Sequence, residues 1–268
     1  MKTNNIFKKG SRTFYTASRF FPKEIRLDVS ILYAFVRVAD DYVDQIPQDK
    51  SGFLNYRKLT NQAFRAGSST NNLINDFVIL SKKYKFEKKW VDAFLDAMES
   101  DIHKNQYNTY KELENYMYGS AEVIGLMMAR ILKLPKKADS AARLQGKAMQ
   151  LINFIRDIKE DLTLKRQYIP QEDLRRFGIK SLTNNINEHS FKKLVEFQIE
   201  RYRQIQNDAS KGFKYIPFIK RIPITTAASI YEWTANKIEE NPQIVFKQKI
   251  KPSKERVILE YIKKTLHI

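Results

Sequence analysis

Cysteine is absent from this chain of 268 residues. That excludes disulfides and thiolate metal sites and leaves the compartment open on redox grounds. The 3 histidines, His103, His189 and His267, lie far apart and offer no zinc-type spacing. No apolar run reaches the roughly 18 residues that a membrane span needs. The basic stretch from Met1 to Gly10 lacks the apolar core of a secretion signal, so a cytoplasmic location is expected. Glycine and proline are scarce, at 8 each, and strand-like alternation is rare, which points to an all-α fold. With 43% hydrophobic residues the length suits one large domain or two small ones, and no break in composition marks a linker.

Acidic residues are outnumbered, 30 against 48 Lys and Arg, for a net charge of +18. Nucleic acid, an anionic membrane surface or an anionic substrate would each match such a charge. No nucleic-acid motif accompanies it, and nucleic acid is not expected as a partner. Most of the lysines read as a solvated basic surface, with peripheral membrane contact as the next reading.

Prolines 22, 47, 135, 170, 223, 242 and 252 fall at expected helix boundaries, since proline begins or ends helices more readily than it interrupts them. Periodic segments predict helices over about 24–46, 53–66, 71–84, 87–105, 110–133, 137–164, 187–214, 223–240 and 253–266. The stretch Ala66 to Asn72 reads as a loop leading into a capped helix start.

Against the basic background, two acidic clusters stand out: Asp40-Asp41-Tyr42-Val43-Asp44 and Asn153-Phe154-Ile155-Arg156-Asp157-Ile158-Lys159-Glu160-Asp161. Residues three and four apart share a helix face. Asp40 and Asp44 therefore stack, Asp41 lies beside Asp44, and Asn153, Asp157 and Asp161 align over two turns. The first helix has Val29, Leu32, Val36, Ala39 and Val43 on one stripe, beside Tyr33, Arg37 and the aspartates. The second has Leu151, Ile155, Ile158 and Leu162 on one face and Gln150, Asn153, Asp157 and Asp161 on another. Asp is a poor helix former, whereas a merely solvated face favours Glu and Lys. Two facing oxygen-rich ridges would suit several hard cations, with diphosphate completing the coordination.

With these motifs the chain resembles the squalene/phytoene synthase family of head-to-head prenyl synthases. Four blocks carry the likeness: Ser11 to Tyr15 followed by Leu32 to Asp44; Tyr116 to Met128; Asn153 to Asp161; and Arg166-Gln167-Tyr168-Ile169-Pro170. A lone DDxxD motif is shared with terpene cyclases and chain-elongating enzymes; the second motif and its trailing Tyr-x-Pro are more specific. The resemblance implies one all-α, isoprenoid-synthase-type domain over 1–268, its helices surrounding an apolar cavity.

It further implies that Asp40, Asp41, Asp44, Asn153, Asp157 and Asp161 bind Mg²⁺ (or Mn²⁺), and that Asp40, Asp44, Asp157, Asp161 and Tyr116 serve the chemistry. Ser11, Arg12, Thr13, Tyr33, Arg37, Gln150, Arg156, Arg166, Tyr168 and Tyr231 would contact two prenyl diphosphates. Simpler readings stand beside these. Arg37 and Arg156 would also pair with neighbouring aspartates, Ser11 and Thr13 would cap a helix, and the tyrosines would pack in a core. Gly125 and Ala121 would either let helices approach or leave room for a prenyl tail, and Glu122 has no account.

The implied reaction joins two geranylgeranyl diphosphates through a cyclopropyl diphosphate to phytoene, without NADPH, in carotenoid biosynthesis. The released diphosphate and Tyr116 are both candidate proton acceptors. Squalene or dehydrosqualene synthesis from farnesyl diphosphate is the alternative, and a non-catalytic relative is disfavoured because no metal carboxylate is lost. Two departures from the family pattern are Lys165, where many relatives have Gly, and Arg12, where Lys is common.

Overall fold

The computed structural model describes residues 2–182 and 186–266, without the side chains of Lys2, Arg12 and Thr13. In chain order the helices are α1 (Lys2–Gly10), α2 (Arg12–Ser18), α3 (Lys23–Asp44), α4 (Lys50–Ala66), α5 (Asn72–Tyr84), α6 (Lys88–His103), α7 (Tyr110–Met117) and α8 (Val123–Ile131). They continue as α9 (Asp139–Arg156), α10 (Ile158–Thr163), α11 (Gln171–Arg176), α12 (Glu188–Ser210), α13 (Phe218–Glu240), α14 (Ile244–Lys247) and α15 (Lys254–Leu266). No strand occurs among the described residues, so the fold is all-α as expected.

Local chemistry sets many of the boundaries. The Asn71 side chain accepts from the Leu73 and Ile74 amides at 3.1 and 3.2 Å, capping α5 as its sequence predicts. Asp49 caps α4 through the Gly52 amide at 2.8 Å, and Gly67, at φ +82°, ends it in the left-handed region. One expected boundary moves. Pro223 lies inside α13, whose start is set by Pro217. The amide that Pro223 lacks would have bonded the carbonyl of Ile219, an exposed residue in the first turn, where the lost bond costs less than in a helix interior.

Two expected helices are interrupted. The segment predicted over 110–133 contains a π-helical turn at Tyr118–Glu122. There Gly119 lies so close to α6 that an added Cβ would stand 2.2 Å from the Ala93 carbonyl oxygen. The segment predicted over 137–164 breaks at Asp157 (φ −99°, ψ 11°). The amide of Asp157 still bonds the Asn153 carbonyl, and that of Asp161 the Asp157 carbonyl, both at 2.9 Å. The three oxygen side chains therefore keep one face across the break.

One continuous apolar core runs from Phe7 to Ile250. α9 is its axis, packed by α8, α12 and α13. α3 packs on α1, α4, α5 and α6, with Phe35 stacked on Phe77 at 3.6 Å between ring centroids. No helix among the described residues is long and apolar enough to cross a membrane.

Candidate active site

α2, α3, α8, α9, α12 and α13 enclose a cavity of about 320 Å³ whose described lining carries no charged side chain. Along α9 its wall runs from Ala141 to Asn153, about 18 Å at 1.5 Å per residue. Small residues make the room. A Cβ on Gly125 would stand 2.1 Å from the Ala142 carbonyl oxygen, and one on Gly146 2.4 Å from that of Ala121. Gly125 therefore does both things the sequence allowed: it lets α8 approach α9, and it lines the cavity. Glu122 finds its account here as a buried partner of Arg143 at 2.8 Å, tying the π turn to α9.

Polar groups gather where the wall reaches Asn153. Tyr33, Gln150, Asn153 and Tyr231 line this end. Tyr33 is stacked on Phe7 of α1 at 4.2 Å, and Gln150 accepts from Asn153 Nδ2 at 3.3 Å. The Asn153 Oδ1 is buried without a hydrogen-bond partner among the described residues.

The aspartates follow on α3 and just beyond the end of α9, and all but Asp161 are paired with a cation. Arg37 reaches Asp40 at 3.2 Å and Asp41 at 2.5 Å. Arg156 grips Asp157 with two hydrogen bonds of 2.6 Å, and Lys249 reaches the same carboxylate at 3.1 Å. Arg166 joins the two motifs. Its guanidinium donates to Asp44 Oδ1 at 2.7 Å and to the Val43 carbonyl at 2.6 Å, while its backbone amide bonds the Asp161 carbonyl at 2.8 Å.

Burial, and then the Asp44 charge, push the Asp40 carboxyl up to about 8, with Arg37 opposing. Burial, then Asp157 and Asp44, push Asp161 up to about 8 as well. The cluster thus holds more negative charge than its own cations settle.

Two of the expected tyrosines stand elsewhere. Tyr116 and Tyr168 are buried and are not among the cavity-lining residues. Their hydroxyls donate to Asp101 Oδ2 at 2.7 Å and Oδ1 at 2.9 Å. Burial pushes the Asp101 carboxyl up to about 6, with Arg166 opposing. Ser11 is the N-cap of α2, accepting from the Phe14 amide at 3.2 Å. The side chains of Arg12 and Thr13 lie outside the described residues.

Sequence reasoning missed Asp101 and Lys249. For Asp101 a signal existed, an acid within the apolar pattern of α6. For Lys249 there was none, since it reaches Asp157 from the irregular segment after α14. Lys165 also finds its reason. Its φ of +57° lies in the region that favours glycine, the residue that the family resemblance leads one to expect there.

The arrangement fits divalent cations held jointly with a diphosphate. Every donor is a hard oxygen, one amide oxygen is unpartnered among the described residues, and partly buried carboxylates are crowded together. Among the described residues no three acidic or imidazole groups would hold an ion by themselves. Mg²⁺ tolerates this, since it commonly takes water and phosphate oxygens.

Comparison with known proteins agrees with this geometry. The squalene/phytoene synthase family model matches residues 7–256. A 15-cis-phytoene synthase of Synechocystis sp. is 27% identical over 89% of this chain and 76% of its own. A phytoene synthase of Rhodobacter capsulatus is 27% identical over 84% and 69%, and a 15-cis-phytoene synthase of Pantoea ananas is 26% identical over 90% and 82%. Among solved structures, a dehydrosqualene synthase with bound ligand superposes with TM-score 0.90 at 24% identity, covering 99% of this chain and 95% of that one. A squalene synthase from Alicyclobacillus acidocaldarius gives 0.79 at 20%, covering 89% and 92%. These two likenesses speak for the fold. With the family match spanning nearly the whole chain, this protein belongs to the squalene/phytoene synthase family, a class of prenyltransferases.

Proposed function

We propose that this protein joins two geranylgeranyl diphosphates head to head to give phytoene. The observation that carries the reading is the uncharged cavity, about 18 Å long beside α9, ending at two acidic motifs. Diphosphates would sit at the acidic end and prenyl tails along the apolar wall.

The residues that would hold Mg²⁺ are Asp40, Asp41, Asp44, Asn153, Asp157 and Asp161. Bound there, the ion would supply charge neutralisation of a departing diphosphate. Arg37 and Arg156 would take diphosphate oxygens, exchanging their present carboxylate partners for phosphate, while Arg166 would face the diphosphate from its hold on Asp44; a planar guanidinium matches either anion bidentately. The first allylic cation is captured by the double bond of the second substrate, giving a cyclopropyl diphosphate and releasing a proton. Loss of the second diphosphate, rearrangement and loss of another proton complete the product, so no reductant such as NADPH is needed.

Phe14, Tyr33 and Tyr231 offer ring faces to the cations at the polar end, and the apolar wall excludes water. Tyr116 and Tyr168, held on Asp101 behind that wall, position the cluster. The released diphosphate is therefore the better proton acceptor.

Relatives described as phytoene synthases support this choice over the thirty-carbon alternative. The test is turnover of geranylgeranyl diphosphate with Mg²⁺, with and without NADPH, in wild type and Asp157→Ala. Hydrocarbon formed by wild type alone, without NADPH and not in chelator, is the expected result. Full activity of folded Asp157→Ala would remove the metal mechanism.

A further inference from the structure

Two segments meet at the end of the cavity remote from the aspartates, residues 132–138 between α8 and α9 and residues 211–221 around the start of α13. They are joined directly: Lys220 Nζ donates to the Leu132 carbonyl at 2.9 Å, and Lys137 Nζ stands 4.9 Å from the centre of the Tyr215 ring. On their inner side Leu132, Leu134, Phe213 and Ile216 close the cavity. On their outer side Phe218 and Ile219, 43% and 64% exposed, project from the first turn of α13.

The surroundings of these two apolar tips are cationic. Lys133, Lys136, Lys137, Lys214 and Arg221 lie on the same two segments, and none has an acidic partner among the described residues. The nearby acids in sequence are already engaged, Asp139 with Arg130 and Asp208 with Lys211 at 2.6 Å. Arg221 lies 5.9 Å from the Phe218 ring centre, so charge and apolar surface are presented together. Protruding apolar side chains on segments that also carry these unpaired cations match the two layers of a lipid interface, acyl boundary and anionic headgroups.

We propose that this end of the molecule docks on a membrane surface bearing anionic lipid, with Phe218 and Ile219 entering the headgroup layer and the five cations meeting lipid phosphates. Phe218 and Ile219 are adjacent in the first turn of α13 and beside these unpaired cations, a pairing of apolar and positive surface that anionic lipid complements. A second exposed apolar stripe, Ile258, Leu259, Ile262 and Leu266 on α15, begins one turn after Glu255 and borders no part of the cavity. The docking follows from charge and exposure alone. The proposed reaction gives it a use, since a hydrocarbon leaving the cavity at this end would enter the bilayer without crossing water.

The experiment is sedimentation of the full chain with vesicles of phosphatidylcholine, with and without phosphatidylglycerol, at two salt concentrations. It needs no catalysis, so its failure is distinct from failure of the enzymatic reading. Wild type is expected to bind the anionic vesicles, less so at high salt. Phe218→Ser with Ile219→Ser, and separately Lys136→Glu, Lys137→Glu and Lys214→Glu together, should each weaken binding at least tenfold while circular dichroism stays that of wild type. Ile258→Ser with Ile262→Ser should bind as wild type does. Equal binding to neutral vesicles, undiminished binding of both tip variants, loss confined to the α15 variant, or binding to RNA but not to vesicles would each overturn the proposal.

Discussion

Arg166 holds Asp44 across the site, its guanidinium 2.7 Å from the carboxylate, while its own backbone amide is fixed to the Asp161 carbonyl at 2.8 Å. One buried residue thereby sets the separation of the two acidic motifs. Arg166→Gln should lose about 3 kcal/mol of stability, the scale for removing one partner of a buried ion pair, and turnover should fall at least a hundredfold. Arg166→Lys should recover little, because a single ammonium does not reproduce the fork that reaches Asp44 and the Val43 carbonyl together. Denaturant melts and steady-state rates check both; a Lys variant with wild-type rates would mean that charge alone suffices.

The crowded carboxylates predict an unusual pH dependence. Asp40 and Asp161 are pushed up to about 8 and Asp101 to about 6, against an ordinary value of 3.8. Between about pH 4 and 8 the folded chain then binds more protons than the unfolded chain, so these groups make stability fall as pH rises. Metal-free protein should melt higher at pH 5.5 than at pH 8. Asp161→Asn should flatten this dependence and melt above wild type at pH 8, while losing activity. A metal-free Asp161→Asn that melts below wild type at pH 8 would contradict the electrostatic picture.

Asp101 receives the hydroxyls of both Tyr116 and Tyr168, which links the ends of α6 and α7 to the segment after α10. Asp101→Asn keeps the shape but presents an amide donor to one of the two phenols, forcing it to turn. Turnover should drop at least tenfold with KM little changed, since the substrate-lining side chains are untouched. Unchanged turnover would assign the trio to packing alone.

The sequence made much of this legible, for reasons visible in particular residues. The shared faces of Asp40 with Asp44 and of Asn153 with Asp157 and Asp161 are legible because helical spacing sets them, and α3 and the hydrogen bonds running from α9 into α10 keep that spacing. The π turn at Tyr118–Glu122 is not legible in the sequence, because it sits where Gly119 meets the Ala93 carbonyl of another helix, which no local pattern records. Lys249 was invisible for the same reason, being remote in the chain from Asp157. That Tyr116 and Tyr168 turn to Asp101 rather than line the cavity is not legible, because aromatic identity does not reveal which way a ring faces.

Lys165 gives a test on the stability side. It is exposed and held at φ +57°, a conformation costing an L-residue roughly 1–2 kcal/mol. Lys165→Gly should therefore stabilise the protein by about 1 kcal/mol, after the added flexibility of glycine in the unfolded chain. Chemical denaturation measures it directly, and a loss of stability would show that the lysine side chain contributes more than its backbone conformation costs.

The most direct measurement is a competition in which the protein receives equal geranylgeranyl and farnesyl diphosphate with Mg²⁺ and no NADPH, and the hydrocarbons are identified by mass. The account predicts a forty-carbon product in large excess, because the shorter tail leaves part of the apolar cavity unfilled and its reacting end less well placed. A dominant thirty-carbon product would contradict the substrate assignment, and neither hydrocarbon nor cyclopropyl diphosphate from either substrate would contradict the condensation itself.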